Sequence, residues 1–548
     1  MRRTAAAPVL PDPSHLQRPR LAEDVVLHPP SADGTPWIVQ KGSHTYLRLA
    51  TDLADLMREM DGRADHAGLA EALGPRWSAD LVGEAVGMLA GKGMLDDGSA
   101  PPAQRRVRFL GAHRIQLTVL RPDRLFDALR PLIAVLGSRS AIAVGLAVSV
   151  LGAGTLALRA EDVARALGTP LPFAAYFAVA MGYLLTTCVH ELSHGAVLAM
   201  FGGRPTRMGV MLFYFTPAFF CDVTDGWRLP RRDQRVAVAL AGIGVQSVVA
   251  GVAALAAASL PLGPTAQSTA YVFAATTYVA CLMNLLPFIK LDGYLALMSH
   301  LDLPHLREKA MGDARSWLGA TLFGARRRRD LPQWWWAVPF GLASMAMPVY
   351  IVVTLLLILA DLLLGLGTAG AAAVLLVAGG ALAYVLVGGA RLQREALQAH
   401  APRWRTWTVS AGLLLTAAAA AAVVPVPASV QGGYVVHEGQ AYVVLPSRAG
   451  DVTVGDPVEL YRMGLVTSTE VGRATVAGTE PVTVQAPIEA FLPITAEGLT
   501  LPAAGYPVTI DGPLPEHAGS ARVALGTVPG WRWLTDTYLA PLGIGGAQ

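Results

Sequence analysis

Within this 548-residue chain, the stretch His190-Glu191-Leu192-Ser193-His194 combines residue types and spacing that could do chemistry. On a helix, residues four apart lie one turn apart on one face, so two imidazoles are presented at a spacing that suits zinc. The glutamate between them can take a proton from a water that a metal has activated. The five residues stand inside an apolar segment, about 172–201, long enough to cross a bilayer, where polar groups are costly and seldom occur without a function. The competing reading is a polar helix face satisfied by neighbouring helices. Two histidines need a third ligand. A second motif, Asn284-Leu285-Leu286-Pro287-Phe288-Ile289-Lys290-Leu291-Asp292-Gly293, offers one. Asp292 follows an apolar segment broken by Pro287, and Gly293 permits a close turn. Two histidines, an aspartate and one water make a catalytic zinc set with an open position. Read alone, Asp292 is an ordinary helix-terminal aspartate.

The elements that must position these residues are membrane helices. Hydrophobic residues make up 53% of the chain and charged ones 15%, against roughly 25% charged in soluble proteins. Seven apolar segments approach or exceed spanning length, at about 140–158, 172–201, 236–258, 269–289, 337–361, 369–390 and 407–424. The connections alternate in charge. Six Arg lie in 202–235, eight Lys or Arg in 290–336 and four Arg in 391–406, whereas 259–268 and 362–368 carry none. The positive-inside rule then predicts a multi-pass inner (plasma) membrane protein with its N-terminus in the cytoplasm and its C-terminus outside. The second and fourth segments run in the same direction. His190 lies about 27 Å along its helix from Pro172 by residue rise, in the cytoplasmic half, and Asp292 ends the fourth segment on the same side. Arg326–Arg329 and Trp334–Trp336 read as lipid-headgroup and interfacial anchors. Nucleic acid is not implied, because the basic residues flank the spans.

On either side of these spans the pattern is soluble. Residues 1–22 read as a flexible tail. Residues 23–98 read as a small winged-helix-like α+β domain: Trp37-Ile38-Val39 and Tyr46-Leu47-Arg48-Leu49 form paired strands, followed by a helix that stops at Asp61-Gly62 and two more short helices. A basic connector, 99–139, leads into the membrane part, 140–425. Within that part Gly209–Phe215 is apolar and strand-like but too short to span, which predicts either a re-entrant strand or hairpin or an interfacial loop. From 426 to 548 short β-rich runs alternate with Gly and Pro turns, an all-β domain placed outside the membrane. That tail holds five Arg, no Lys and eleven acidic residues. Cys188, Cys221 and Cys281 fall in or beside apolar segments, and no disulfide framework is indicated.

H-E-x-x-H followed about a hundred residues later by N-x-x-P-x-x-x-L-D-G resembles the site-two protease family of intramembrane zinc metalloproteases. Phe220–Trp227 and Asp292–Arg307 look like its bacterial peptide zinc metalloprotease branch, found with modified-peptide gene clusters. The resemblance implies zinc held by His190, His194 and Asp292, Glu191 as the base, and Asn284 at the substrate backbone or oxyanion. No Pro follows Gly242 and no PDZ-type segment is recognisable, which departs from many members. The N-terminal domain resembles the small peptide-chaperone domain that takes leader peptides by strand addition, and the β tail resembles weakly the barrel-sandwich domain of membrane-fusion adaptors. The implied activity is a zinc endopeptidase that removes the leader of a ribosomally made peptide precursor at the membrane. Alternatives are a regulatory protease acting on a membrane-held transcription or anti-sigma factor, and a non-catalytic export or immunity scaffold. The expected partners are a peptide precursor or transmembrane protein substrate, membrane lipid, and an outer partner for the β domain.

Overall fold

In a computed structural model of the chain the described residues are 14–30, 37–42, 45–97, 107–109, 114–120, 122–213, 216–364, 368–437, 439–445, 452–465, 468–496, 498–512 and 517–539. Most of the expected tail, residues 1–13, and Tyr214-Phe215 of the apolar run lie outside them. The chain divides into two compact units. The first comprises residues 1–145, 186–245 and 299–302; the second comprises 146–185, 246–298 and 303–548.

The first unit opens with α1 (Ser14–Gln17), strands β1 (Val25–His28), β2 (Trp37–Lys41) and β3 (Thr45–Leu49), and helices α2 (Thr51–Glu59), α3 (His66–Leu73) and α4 (Ala79–Gly91). The strands form an antiparallel sheet in the order β1-β2-β3, one strand more than expected. Apolar residues at helical spacing, among them Leu56, Met57, Leu69, Val82 and Leu89, are buried with Val39 in one core. Asp65 and Ser78 cap α3 and α4 by accepting from the amides of Gly68 and Leu81. Residues 14–22, expected to belong to a tail, instead join this core through Leu16 and Leu21, and Arg20 and Leu21 bridge to Asp61 and Leu95.

The stretch expected to be a connector holds β4 (Val107–Phe109), β5 (Arg114–Leu120) and α5 (Asp123–Leu136). The short apolar run is the first strand of a hairpin. In chain order after β6 (Leu171–Pro172), its strands are β7 (Met208–Phe213) and β8 (Thr216–Cys221). Because β5 pairs with β7, the four strands make one antiparallel sheet, β4-β5-β7-β8. Helix α5 buries Phe126 and Ile133 against Met208, Leu192 and Ala196.

Six helices among the described residues are long and apolar enough to cross a membrane, which makes this a multi-pass membrane protein. They are α6 (Arg139–Leu158), α8 (Phe173–Met200), α9 (Arg232–Ser259), α13 (Ala337–Leu364), α14 (Thr368–Gln398) and α15 (Arg403–Val423), with the short α7 (Ala160–Leu167), α11 (Asp292–Leu301) and α12 (Leu306–Phe323) between them. The remaining expected span, α10 (Pro264–Leu285), is a 22-residue helix that is not among the six. Its Ser, Thr, Gln and Asn dilute the apolar surface, although Thr269, Thr276 and Thr277 donate their hydroxyls to carbonyls of their own helix. In the second unit α6 and α9 approach so closely that a Cβ on Gly152 would run into the backbone of Gly251. Ser149 and Ser247 share a 3.0 Å hydrogen bond there, and Tyr278 donates to the Ser149 carbonyl. Small and hydroxyl-bearing residues hold apolar helices together where lipid offers no hydrophobic drive.

The second unit ends in strands β9 (Pro425–His437), β10 (Gln440–Val444), β11 (Pro457–Met463), β12 (Ser468–Val476), β13 (Val482–Pro487), β14 (Ile494–Thr495), β15 (Thr500–Ile510) and β16 (Ala518–Pro529). They pair in the order β10-β9-β16-β11-β12-β15-β13, and β10 also pairs with β15. That extra pairing closes a barrel, with β13 added outside it. Its interior is apolar, filled by residues such as Val443, Leu460 and Val523 around Tyr434.

Candidate metal centre

Helix α8 runs unbroken for 28 residues, because nothing between Phe173 and Met200 is a proline, and it gives way at Gly202, whose φ is +82°. From the middle of the helix onward Thr186, His190 and His194 recur every fourth residue, and all three are buried, the two histidines at 5% exposure. The imidazole centroids are 4.8 Å apart and the rings nearly perpendicular, at 78°. One donor atom from each of His190, Glu191 and His194 lies within 4.8 Å of the others. The spacing on the helix has therefore produced the donor cluster that it promised.

The surroundings fix these side chains individually. Nδ1 of His194 is 2.7 Å from the Val238 carbonyl. A carbonyl only accepts, so Nδ1 carries the proton, and Nε2 becomes the nitrogen whose lone pair can face a cation. His190 packs against Gly242 of α9, where a Cβ would run into its ring at Nε2. Glycine at this position lets the ring sit directly against the backbone of α9. One oxygen of Glu191 accepts the Cys221 amide at 3.0 Å, which ties the carboxylate to the end of β8. Gly195 serves the same packing, since a Cβ there would strike Phe126. The Ser193 hydroxyl turns back onto its own helix, to the carbonyls of Val189 and His190. A buried pair of imidazoles, one with its tautomer set by a backbone carbonyl, beside a carboxylate fits a divalent cation.

The aspartates of the Phe220–Trp227 stretch are structural. Asp222 accepts from the Thr224 amide and hydroxyl and pairs with Arg207. Asp225 is buried, accepting from the Arg204 amide at 2.7 Å. They pin the hairpin that presents Cys221, as a capped turn would.

The second motif lies in the other unit. Asn284 is near the C-terminal end of α10, Pro287 follows the helix end, and Asp292 is the first residue of α11. Gly293 is required there, because a Cβ would collide with the carbonyl of Leu285. Arg307 braces the loop, donating to the carbonyls of Phe288 and Ser344 at 3.0 Å each. The close cluster among the described residues comprises His190, Glu191 and His194, without Asp292 or Asn284. Three contributors escaped the sequence reading: the Val238 carbonyl, the Cys221 amide and the missing side chain of Gly242. Backbone groups carry no side-chain signature, and only the small-residue run Ala241-Gly242-Ile243-Gly244 marked the third.

Beyond the cluster, in the same unit, Arg48 of β3 makes a two-pronged hydrogen bond to Asp302, at 2.7 and 2.8 Å. Arg235 in the first turn of α9 donates to the same carboxylate at 2.8 Å. The Arg48 hydrogen bond holds the Asp302 carboxyl below the usual carboxylate range, against the opposing pull of burial. The chain matches no family model, no curated protein and no solved structure.

Proposed function

We propose that the chain is a zinc-dependent intramembrane endopeptidase that binds a peptide precursor and removes its leader in the cytoplasmic half of the membrane. The observation that carries this reading is the buried His190–Glu191–His194 cluster on a helix of membrane-spanning length. Asp292 is the third ligand we assign, from its motif, and Asn284 the residue that meets the substrate backbone. When bound, zinc would supply a Lewis acid that polarises the scissile carbonyl and acidifies the attacking water. Glu191 takes the proton of that water and delivers it to the leaving amine. The Cys221 amide keeps the carboxylate aimed while it does so. Cys221 ends β8, the outer strand of its sheet, so extended backbone borders the site, and a substrate must be extended there because a helix hides its carbonyls. Burial of the histidines keeps the number of competing waters small.

Charge alternation supports the orientation: N-terminus in the cytoplasm, C-terminus outside. It requires an odd number of crossings, and so requires α10 to cross. Its 22 residues reach about 33 Å, and hydroxyls already bonded to the helix lower the cost of its polar residues. The N-terminal domain would bind the leader, by strand addition at an edge of its three-stranded sheet.

The test is Glu191→Gln, which keeps size and hydrogen bonding but cannot accept the proton. In cells carrying wild-type or variant protein at matched expression, precursor processing should fall about 10²- to 10⁴-fold, with metal content retained. Processing that continues at the wild-type rate would sink the peptidase reading and leave the cluster as a binding site, as an export or immunity scaffold requires.

A further inference from the structure

Helix α9 meets the His190–His194 cluster twice and the Asp302 carboxylate once, all with one face. Arg235, Val238 and Gly242 stand at i, i+3 and i+7, the spacing of a single helical stripe. Val238 holds His194 through its carbonyl, and Gly242 is the surface on which His190 packs. About 10 Å back along the same face by residue rise, Arg235 reaches Asp302. Its side chain is only 6% exposed, and it has two partners: the Leu229 carbonyl at 2.8 Å and the Asp302 carboxylate at 2.8 Å. A buried guanidinium depends on such partners, because water cannot replace them. Asp302 is presented from a left-handed turn, φ +54°, that ends α11, and its other prongs go to Arg48 on β3. Arg232 stands 3.8 Å from the same carboxylate. One carboxylate thus joins the N-terminal sheet to the helix that sets both imidazoles.

We propose that Arg48 and Asp302 are positioning residues: their ion pair couples the N-terminal domain, through Arg235 and α9, to the geometry of His190 and His194. With Arg48 in place, Asp302 is held in the orientation that anchors Arg235, and α9 keeps its carbonyl on His194 and its glycine against His190. When Arg48 lets go, the carboxylate is shared between Arg235 and Arg232 alone, α9 is freer to slide, and the imidazoles lose their common orientation. A ligand that engages β3 acts on the same strand that carries Arg48, so occupancy of the N-terminal domain would be felt at the cluster. The inference rests on the metal-binding part of the proposed function and not on peptide cleavage.

The experiment uses the full-length protein in detergent with Co²⁺ as a probe, which reports ligand geometry through its visible absorption and affinity through competition with a chelator. Arg48 is 37% exposed in its side chain, so Arg48→Ala leaves the core packing intact. The expected result is a loss of Co²⁺ affinity of about fivefold or more, the low end of measured site–site couplings, with a changed absorption band. Arg48→Lys, which keeps the charge but not the two-pronged geometry, should fall between. In an Asp302→Asn background, Arg48→Ala should have little further effect. Arg58→Ala, an exposed change on the same domain, should match wild type. Unaltered Co²⁺ affinity and spectrum in Arg48→Ala overturn the coupling while leaving the metal site standing. A wild-type protein that binds no Co²⁺ overturns both.

Discussion

The C-terminal barrel and the region around the metal cluster solve burial in opposite ways. In the barrel the strands close on themselves through β10 and β15, so backbone groups pair around the ring and no long edge is left. Apart from the phenol of Tyr434, its buried side chains are apolar, and any of several residues of similar volume could serve at most positions. Around the cluster, Thr186, His190, Ser193, His194, Asp225 and Arg235 are all buried. Each of these needs particular partners in particular directions, because an unsatisfied buried polar group costs more than a hydrogen bond gains. The barrel is held by volume, the cluster by direction. Stability and chemistry should therefore respond to different substitutions.

That contrast can be broken most sharply at His194. His194→Ala should remove nearly all bound metal from the purified protein, as measured by elemental analysis, while the barrel unfolds at its wild-type midpoint. The converse is Leu460→Ala in the barrel, where the side chain is fully buried. It should cost about 3 kcal/mol of barrel stability in denaturant titration and leave metal affinity alone. A loss of metal in this variant would mean that the two regions do not respond separately. Gly242→Ala sits between them in kind, a change of volume whose cost is paid in direction. The added methyl displaces the His190 ring, and metal affinity should fall about 10- to 100-fold, as when supporting contacts of a ligand are lost. The smallest effect is expected at Ser193→Ala. Its hydroxyl only returns to carbonyls of its own helix, and such bonds contribute little net stability, so metal affinity should stay within about threefold of wild type.

Much of this was legible because the signals are local. Four-residue spacing put His190 and His194 together, Asp61-Gly62 stopped α2, and Gly293, expected at a close turn, stands in the first turn of α11 at a close approach that only glycine allows. What the sequence hid is long-range. Nothing in Arg114–Leu120 says that it will pair with Met208–Phe213, nearly a hundred residues away, so a sheet strand looked like a connector. Closure of the barrel between β10 and β15 is hidden for the same reason. Helix α10 was read by its length, while its hydroxyl-rich composition sets it apart from the six more apolar helices. The Val238 carbonyl and the Cys221 amide, which direct His194 and Glu191, are backbone atoms that every residue type possesses. The Arg48–Asp302–Arg235 junction joins three charged residues, each unremarkable where it stands in the chain.

Helix α15 ends at Val423 and β9 begins at Pro425, and the last residue of β16, Pro529, pairs with that same Pro425. Both entry and exit of the barrel are thus fixed to the end of one helix, with no slack between them. A domain on a floppy tether explores a volume and loses that freedom when it captures something. This one is held at both ends instead, by the first residue of β9, which runs on for thirteen residues, about 43 Å of strand, and by the last of β16. Lengthening the junction by a few glycines would give the barrel the freedom that this attachment denies it.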